Sequence, residues 1–292
     1  MSERRRLPSN STAPAEIIGI GQVLSRHEVR VDDDLVYAYA RAVNDHNPRY
    51  ADGCAVPPLF TAAVAIPTFQ ETFQGLLRSR LVRGGGRSPH SDHAVIHHAP
   101  VRPGTILHLE GSLYGLQRIR IGIKSTVHIQ ITDSTGTLLV EHHWTSLHIG
   151  AEIDAEIGAT LIDDTFPDDA RAHPLAVRSI GVDRDQAFRY AGVSHDHAPH
   201  ALDDEVARGE GHPGKIMQGL CTIGMATAAV VDDAAGGDPE RLTRISCRVA
   251  RPALPQRDLS VSTYRTSDER HVAFEVHQGD TLVLAHGRAV LA

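Results

Sequence analysis

The chain has 292 residues, of which 41% are hydrophobic and 22% charged, and its formal net charge is -7. This length suits two domains of roughly 130–150 residues with the composition of an ordinary globular protein. There is no basic block beyond Arg4 to Arg6, which argues against a nucleic-acid partner, and no apolar run approaches the ~18 residues of a membrane span.

The N-terminal segment and the cysteines indicate the compartment. Residues 1–15 are basic at first and have no apolar stretch behind them, so they predict a disordered tail rather than a secretory signal. Cys54, Cys221 and Cys247 are isolated and lack a metal-binding spacing, which favours a reducing, cytoplasmic location without structural zinc.

The first half predicts a strand, two helices and a long sheet. A strand is expected over 22–31, an amphipathic helix over 35–43, and an apolar helix over about 59–73, after the turn Asn44-Asp-His-Asn-Pro48. The clearest later strand covers 119–131, where Ile121 and every second residue after it share one face.

The second half repeats this order. A strand is expected over 175–182, a helix over 186–192, the turn His195-Asp-His-Ala-Pro199 and an apolar helix over about 216–231. Three pairs of segments match in the same order at an offset of roughly 150 residues. The sequence therefore predicts a duplication, with domains at 16–150 and 174–292 and a linker at 151–173.

The second half also carries the most specific motif. Ser194-His-Asp-His-Ala-Pro-His200, followed by Met217-Gln-Gly-Leu-Cys-Thr222, resembles the signature of type 2 (R)-specific enoyl-thioester hydratases. The first-half segment from Tyr39 to Asp52 is similar to the N-terminal half of MaoC-like dehydratases. The resemblance implies an α+β tandem (double) hot-dog fold, with two antiparallel sheets each wrapped round a central helix.

The same resemblance implies an activity and its partners. It implies a hydratase/dehydratase-like lyase that acts on a 2-enoyl or 3-hydroxyacyl thioester of CoA or acyl carrier protein, in fatty-acid or specialised metabolism. No cofactor is implied. The alternative is a degenerate hot-dog protein that binds acyl thioesters or a partner subunit without turnover. A further homodimer is compatible with either reading, since two such units pair edge to edge.

Residue by residue, the resemblance assigns Asp196 as the base that holds the water, against the alternative of a turn carboxylate. It assigns Gln218 and Gly219, at a helix start, to the thioester oxygen, because unpaired helix amides stabilise negative charge. The pattern's histidine falls on Ala201 in this chain. The neighbouring His200 is therefore the candidate catalytic partner.

In the first half, Asp45, Asn47 and Tyr50 occupy the corresponding motif positions. They are candidates for substrate binding, with turn formation as the alternative for Asp45 and Asn47 and packing for Tyr50.

The 19 histidines do not predict a metal site. The spacing His195-x-His197-x-x-His200 resembles short ligand spacings but lacks a Cys or carboxylate partner. The adjacent pairs at 97–98 and 142–143 are expected at exposed strand positions, with their rings on opposite faces.

Overall fold

The fold was taken from a computed structural model, which describes residues 18–159 and 165–292. The predicted tail, residues 1–15, lies outside the described residues. Among those described, no helix is long and apolar enough to cross a membrane.

The first half contains a group of helices followed by an antiparallel sheet. In chain order its elements are β1 (Val23–Arg30), α1 (Asp33–Ala42), α2 (Pro48–Ala51), α3 (Phe60–Val64), α4 (Ile66–Arg78), β2 (Arg83–Gly84), β3 (His90–His97), β4 (Ile106–Ile119), β5 (Gly122–Thr132), β6 (Leu138–Ile149), β7 (Ala151–Glu152) and β8 (Ile157–Gly158).

The second half repeats the pattern, with α7 as an additional short helix and the single helix α8 in place of α3 and α4. Its elements are β9 (Pro174–Ile180), α5 (Gln186–Ser194), α6 (Pro199–Leu202), α7 (Asp204–Gly209), α8 (Gly219–Ala234), β10 (Leu242–Val249), β11 (Leu259–Arg265), β12 (His271–Gln278) and β13 (Thr281–Leu291).

The two halves share one continuous sheet. Its strand order is β1-β4-β5-β6-β3-β10-β13-β12-β11-β9, with neighbouring strands antiparallel and β8 pairing with β4. The central pair, β3 and β10, joins one half to the other, with Ala94 opposite Ser246. This pairing covers the sheet edge that each half would otherwise expose.

The two halves also meet through equivalent helices. Tyr39 of α1 and Tyr190 of α5 are fully buried, and their ring centroids are 6.3 Å apart. Helix α8 passes so close to α1 that a Cβ at Gly224 would stand 2.8 Å from the Tyr39 hydroxyl. Only glycine fits this crossing, which fixes α8 in the core of the second half.

Some boundaries differ from the sequence-based expectation. The expected helix over 59–73 is divided into α3 and α4 at Ala65, because Pro67 stands in the first turn of α4 and cannot donate a backbone hydrogen bond. The strand expected over 119–131 is a hairpin, so Ile121 lies in its turn and is 44% exposed. The inward alternation begins only at Ile123.

The histidine pair at 142–143 also differs from expectation. The two rings do lie on opposite faces, but neither position is exposed. His142 is fully buried inside the first half, where it contacts His93, and His143 is 8% exposed on the outer face.

The expected linker, 151–173, is partly built into the fold. Strands β7 and β8 pair with β2 and β4, and Ala170 is buried, while 160–164 lie outside the described residues.

Candidate active site

The start of α8 is the most chemically distinctive place in the second half. Gln218 precedes the helix but makes no side-chain capping bond, and the Thr222 N–H is the first to donate back, to Gln218 O at 3.2 Å. The N–H groups of Gly219, Leu220 and Cys221 find no acceptor among the described residues. Leu220 and Cys221 are buried and Gly219 is partly buried, and unpaired N–H groups at a helix start suit an anionic oxygen.

Asp196 is held beside this helix start. The preceding residue, His195, ends α5 in a left-handed conformation with φ 59°. The Ala198 N–H donates to Asp196 Oδ1 at 3.2 Å, and Gln218 Nε2 donates to the carbonyl oxygens of Asp196 at 3.3 Å and Ala187 at 3.0 Å. Burial raises the pKa of Asp196 above its ordinary value, the direction expected for a carboxylate that serves as a general acid or base.

A histidine from the first half completes this neighbourhood. His90, the first residue of β3, places Nδ1 3.2 Å from the position that a Cβ on Gly219 would occupy. Its Nε2 is buried and has no hydrogen-bond partner in the part of the chain that the structure describes. Burial lowers the pKa of His90 to about 4, so the ring is neutral at pH 7.

His90 belongs to a buried group of rings. Its centroid lies 5.3 Å from that of His93 and 5.0 Å from that of Trp144, while His93 Nε2 contacts His142 Nδ1 at 3.2 Å. His142 Nε2 in turn lies 3.0 Å from the Thr61 hydroxyl. Within residues 18–159 and 165–292, His93 Nδ1 and Trp144 Nε1 are buried without hydrogen-bond partners, so unpaired polar atoms adjoin the His90 ring.

Sequence reasoning missed His90 because it lies in the other half of the chain. An irregularity between His90 and Asp92, in the pairing of β3 with β6, lies where the ring approaches α8. The sequence contains one signal, the high density of histidines at 90–98. This density does not by itself indicate which element the histidine side chains face.

The other predicted partner, His200, lies at the surface. Helix α6 begins at Pro199 as α2 begins at Pro48, so the two turns have the same length and Ala201 is buried where Tyr50 is buried in the first half. The His200 ring lies 3.1 Å from Glu210 Oε2.

The three first-half candidates lie together in one turn. The Asn47 N–H donates to Asp45 Oδ1 at 3.2 Å, and burial raises the pKa of Asp45 to about 6. Asn47 caps α2 through the Arg49 N–H and donates from Nδ2 to Gly237 O at 2.7 Å. Tyr50 is 3% exposed. These contacts support the turn and tie it to the segment after α8.

The first-half helix start offers fewer free donors than α8. The Phe60 N–H donates to Pro57 O at 2.9 Å, and the Ala62 N–H donates to Leu59 O at 3.1 Å. Leu242, the first residue of β10, lines a small cavity here together with Thr61. An apolar side chain therefore occupies the position that matches His90 in β3.

One large cavity does not have Asp196 in its lining. It measures about 1070 Å³ and is an open cleft at the first-half turn, lined by Asp45, Asn47 and Arg49 and by residues at the end of α8. We locate the candidate chemistry at the α8 start because reacting groups need unpaired donors and exclusion of water rather than volume.

One cluster of side chains has the composition of a metal site. Within residues 18–159 and 165–292, a single group of three close metal-binding side chains occurs, and it comprises His128, Glu141 and His143. The spacing considered in the sequence does not form such a group, and the rings of His195 and His197 are 6.4 Å apart.

The comparison with protein families gives a match in the second half. The family described as MaoC like domain matches residues 166–286. The 3-hydroxyacyl-thioester dehydratase Y of Mycobacterium tuberculosis is 36% identical over 108 residues, which cover 37% of this chain and 36% of that protein. The chain therefore matches about a third of the length of this relative.

Solved structures extend the likeness to both halves. A MaoC-like dehydratase from Phytophthora capsici superposes with a TM-score of 0.81 at 17% identity, covering 94% of this chain and 97% of the other. A Mycobacterium tuberculosis protein described as having a double hot-dog fold superposes with a TM-score of 0.58 at 14% identity, covering 91% and 93% of the two chains. The expected double hot-dog fold is confirmed.

Proposed function

We propose that this chain is a hydro-lyase that adds water to a 2-enoyl thioester or removes it from a 3-hydroxyacyl thioester, because residues 166–286 match the MaoC like domain family. The acyl group is carried by CoA or acyl carrier protein. The observation that carries this proposal is the buried start of α8, where unpaired N–H groups stand beside the Asp196 turn.

The proposed chemistry uses these groups in one sequence of proton movements. The thioester oxygen accepts a hydrogen bond from the Gly219 N–H, so negative charge that develops there meets the positive end of α8. In hydration, Asp196 takes a proton from water as the water oxygen bonds to C3 and the electrons of the double bond move toward the thioester oxygen. The proton held by Asp196 then returns to C2, and the net change is the addition of one water molecule.

Two histidines stand near this path. His90 lies beside Gly219, and we propose that its neutral ring donates a second hydrogen bond to the thioester oxygen. His200 is the candidate partner of Asp196 for the water, and its Nδ1 lies 3.1 Å from Glu210 Oε2. The first-half residues Asp45, Asn47 and Tyr50 are proposed to shape the remainder of the substrate site.

The second candidate is a protein that binds acyl thioesters, or a partner subunit, without converting them. The observation that favours it is Ala201, which is fully buried where the family pattern has histidine. A positioned acid or base contributes ~10²–10⁴-fold in rate, so its loss without replacement would leave binding alone.

The deciding experiment is hydration of crotonyl-CoA and of a longer 2-enoyl-CoA, followed by loss of the enoyl absorbance. We expect turnover by the unmodified chain and loss of at least about 10²-fold in Asp196→Asn. Thioester binding without turnover in both proteins would support the second candidate. Equal turnover in both would show that Asp196 is not the base.

A cytoplasmic location and a further homodimer remain proposals. The three cysteines are free thiols, with Cys54 exposed and Cys221 and Cys247 buried, which is compatible with a reducing compartment. Gel filtration with light scattering would measure the oligomeric state.

A further inference from the structure

The outer face of the first-half sheet carries histidines grouped around one glutamate, outside the site proposed above. Glu141 and His143 are two residues apart on β6 and therefore face the same side. His128 on β5 lies directly opposite His143 in the pairing of these strands. Two adjacent strands thus present two imidazoles and a carboxylate to one point.

The contacts within this group are close and partly buried. His128 Nε2 lies 2.6 Å from Glu141 Oε2, and the rings of His128 and His143 stack at 4.7 Å between centroids with 17° between planes. One ligand atom from each of the three side chains lies within 4.8 Å of the others. The side chains of His128 and Glu141 are only 16% and 18% exposed.

One nitrogen in the group has no function in the protein's own hydrogen bonds. His143 is 8% exposed, and its Nδ1 is buried without a hydrogen-bond partner among the described residues. An imidazole nitrogen that no protein group engages is available as a metal ligand.

We propose that His128, Glu141 and His143 bind a divalent transition-metal ion of the zinc class. Two imidazole nitrogens and a carboxylate oxygen form a donor set suited to Zn²⁺, with bonds of about 2.0–2.2 Å, whereas Mg²⁺ and Ca²⁺ prefer oxygen ligands alone. Ligand atoms already within 4.8 Å reach such bonds by small side-chain rotations.

The surroundings supply the supporting contacts that such a site needs. His98, just beyond β3, lies 2.7 Å from the other glutamate oxygen, Oε1, and orients the carboxylate as a supporting partner does. The Tyr114 ring meets His143 and His128 edge-on, at 4.7 and 5.8 Å between centroids. The ion would link β5, β6 and the end of β3, so its effect is on stability and does not depend on the proposed hydratase activity.

The test uses the untagged full-length chain, freed of metal with a chelator and titrated with Zn²⁺ by calorimetry and with Co²⁺ by visible absorption. We expect one equivalent of Zn²⁺ to bind with micromolar or tighter affinity and to raise the midpoint of thermal unfolding by several degrees. Bound Co²⁺ is expected to show the intense visible bands of a four-coordinate ion.

Variants identify the ligands. Glu141→Gln preserves side-chain size and His143→Asn keeps a smaller polar side chain, and each should weaken Zn²⁺ binding by at least about 10²-fold, while His98→Ala weakens it by about 10-fold. His27→Ala is the matched control, because it removes another strand histidine paired with a glutamate, Glu71, and should leave binding unchanged. Zn²⁺ affinity that is weaker than millimolar, or unchanged in both ligand variants with native circular dichroism, would overturn the proposal.

Discussion

The two turns that follow α1 and α5 share a backbone and differ in what surrounds them. Asn44 and His195, which precede the aspartates, have φ 51° and 59°. Each aspartate, Asp45 or Asp196, accepts a hydrogen bond at 3.2 Å from the N–H two residues later. Duplication has therefore preserved the geometry of the turn, and an aspartate in this turn does not by itself define an active site.

The difference lies at the helix start next to each turn. At the start of α3 the Phe60 N–H is bonded to Pro57 O, whereas at the start of α8 the Gly219 N–H has no acceptor among the described residues. A strand of the opposite half contributes Leu242 at the start of α3 and His90 at the start of α8. Of the two helix starts, only the start of α8 has buried polar groups that lack hydrogen-bond partners. The comparison thus supports the proposal that the chemistry belongs to the second half and a supporting role to the first.

The largest effect is expected from exchanging the two aspartates for asparagine. Asp196→Asn should lower kcat/KM for a 2-enoyl-CoA by ~10²–10⁴-fold, because it removes a base but preserves size. Asp45→Asn, in the turn of equal geometry, should change it only a few-fold. The unmodified chain should also lose activity on acidification at a pH above the ordinary range of an aspartate, because burial raises the pKa of Asp196. A larger loss in Asp45→Asn than in Asp196→Asn would reverse the assignment of the halves.

A smaller loss is expected from filling the space at the α8 start. In Gly219→Ala the new Cβ would stand 3.2 Å from His90 Nδ1 and 3.6 Å from Val249 Cγ2, which displaces the ring and narrows the approach to the amide. We expect about a 10²-fold lower kcat/KM, the typical result of a shift of about 1 Å near reacting groups.

The matched control for this variant is Gly192→Ala in α5, where a Cβ meets nothing within 4 Å. It should stabilise the protein by about 0.5–1 kcal/mol and leave turnover unchanged. Urea unfolding of both variants separates the two effects. Full activity in Gly219→Ala would mean that the thioester does not approach this glycine.

A loss of about 10-fold in kcat is expected from His90→Leu. This variant gives the first position of β3 the same residue type as the first position of β10, Leu242. Removal of one hydrogen bond to the developing oxyanion costs up to ~10²–10³-fold, and a site that retains its backbone donor loses less. Leu242→Met is the control in β10 and should retain activity. Unchanged kcat and KM in His90→Leu would make this histidine a packing residue only.

The sequence predicted the fold well because the repeat and its alternating strands are local patterns. The Asp196 turn and the α8 start were readable in the same way, since each lies in one continuous motif. His90 was not readable, because its position beside Gly219 depends on the pairing of β3 with β10 across the two halves. The metal candidate was missed for a related reason: His128, Glu141 and His143 meet only through the register of β5 and β6.

The smallest effect is expected from His200→Ala, with a change of less than about 5-fold in kcat/KM. The ring is one-third exposed and paired with Glu210, and surface pairs of this kind contribute roughly 0–1 kcal/mol. A loss near 10²-fold would instead mean that His200 turns toward Asp196 when substrate binds. The double variant with His90→Leu then distinguishes the two histidines: losses that multiply indicate independent contacts, and a combined loss no larger than one alone indicates that both act on the same step.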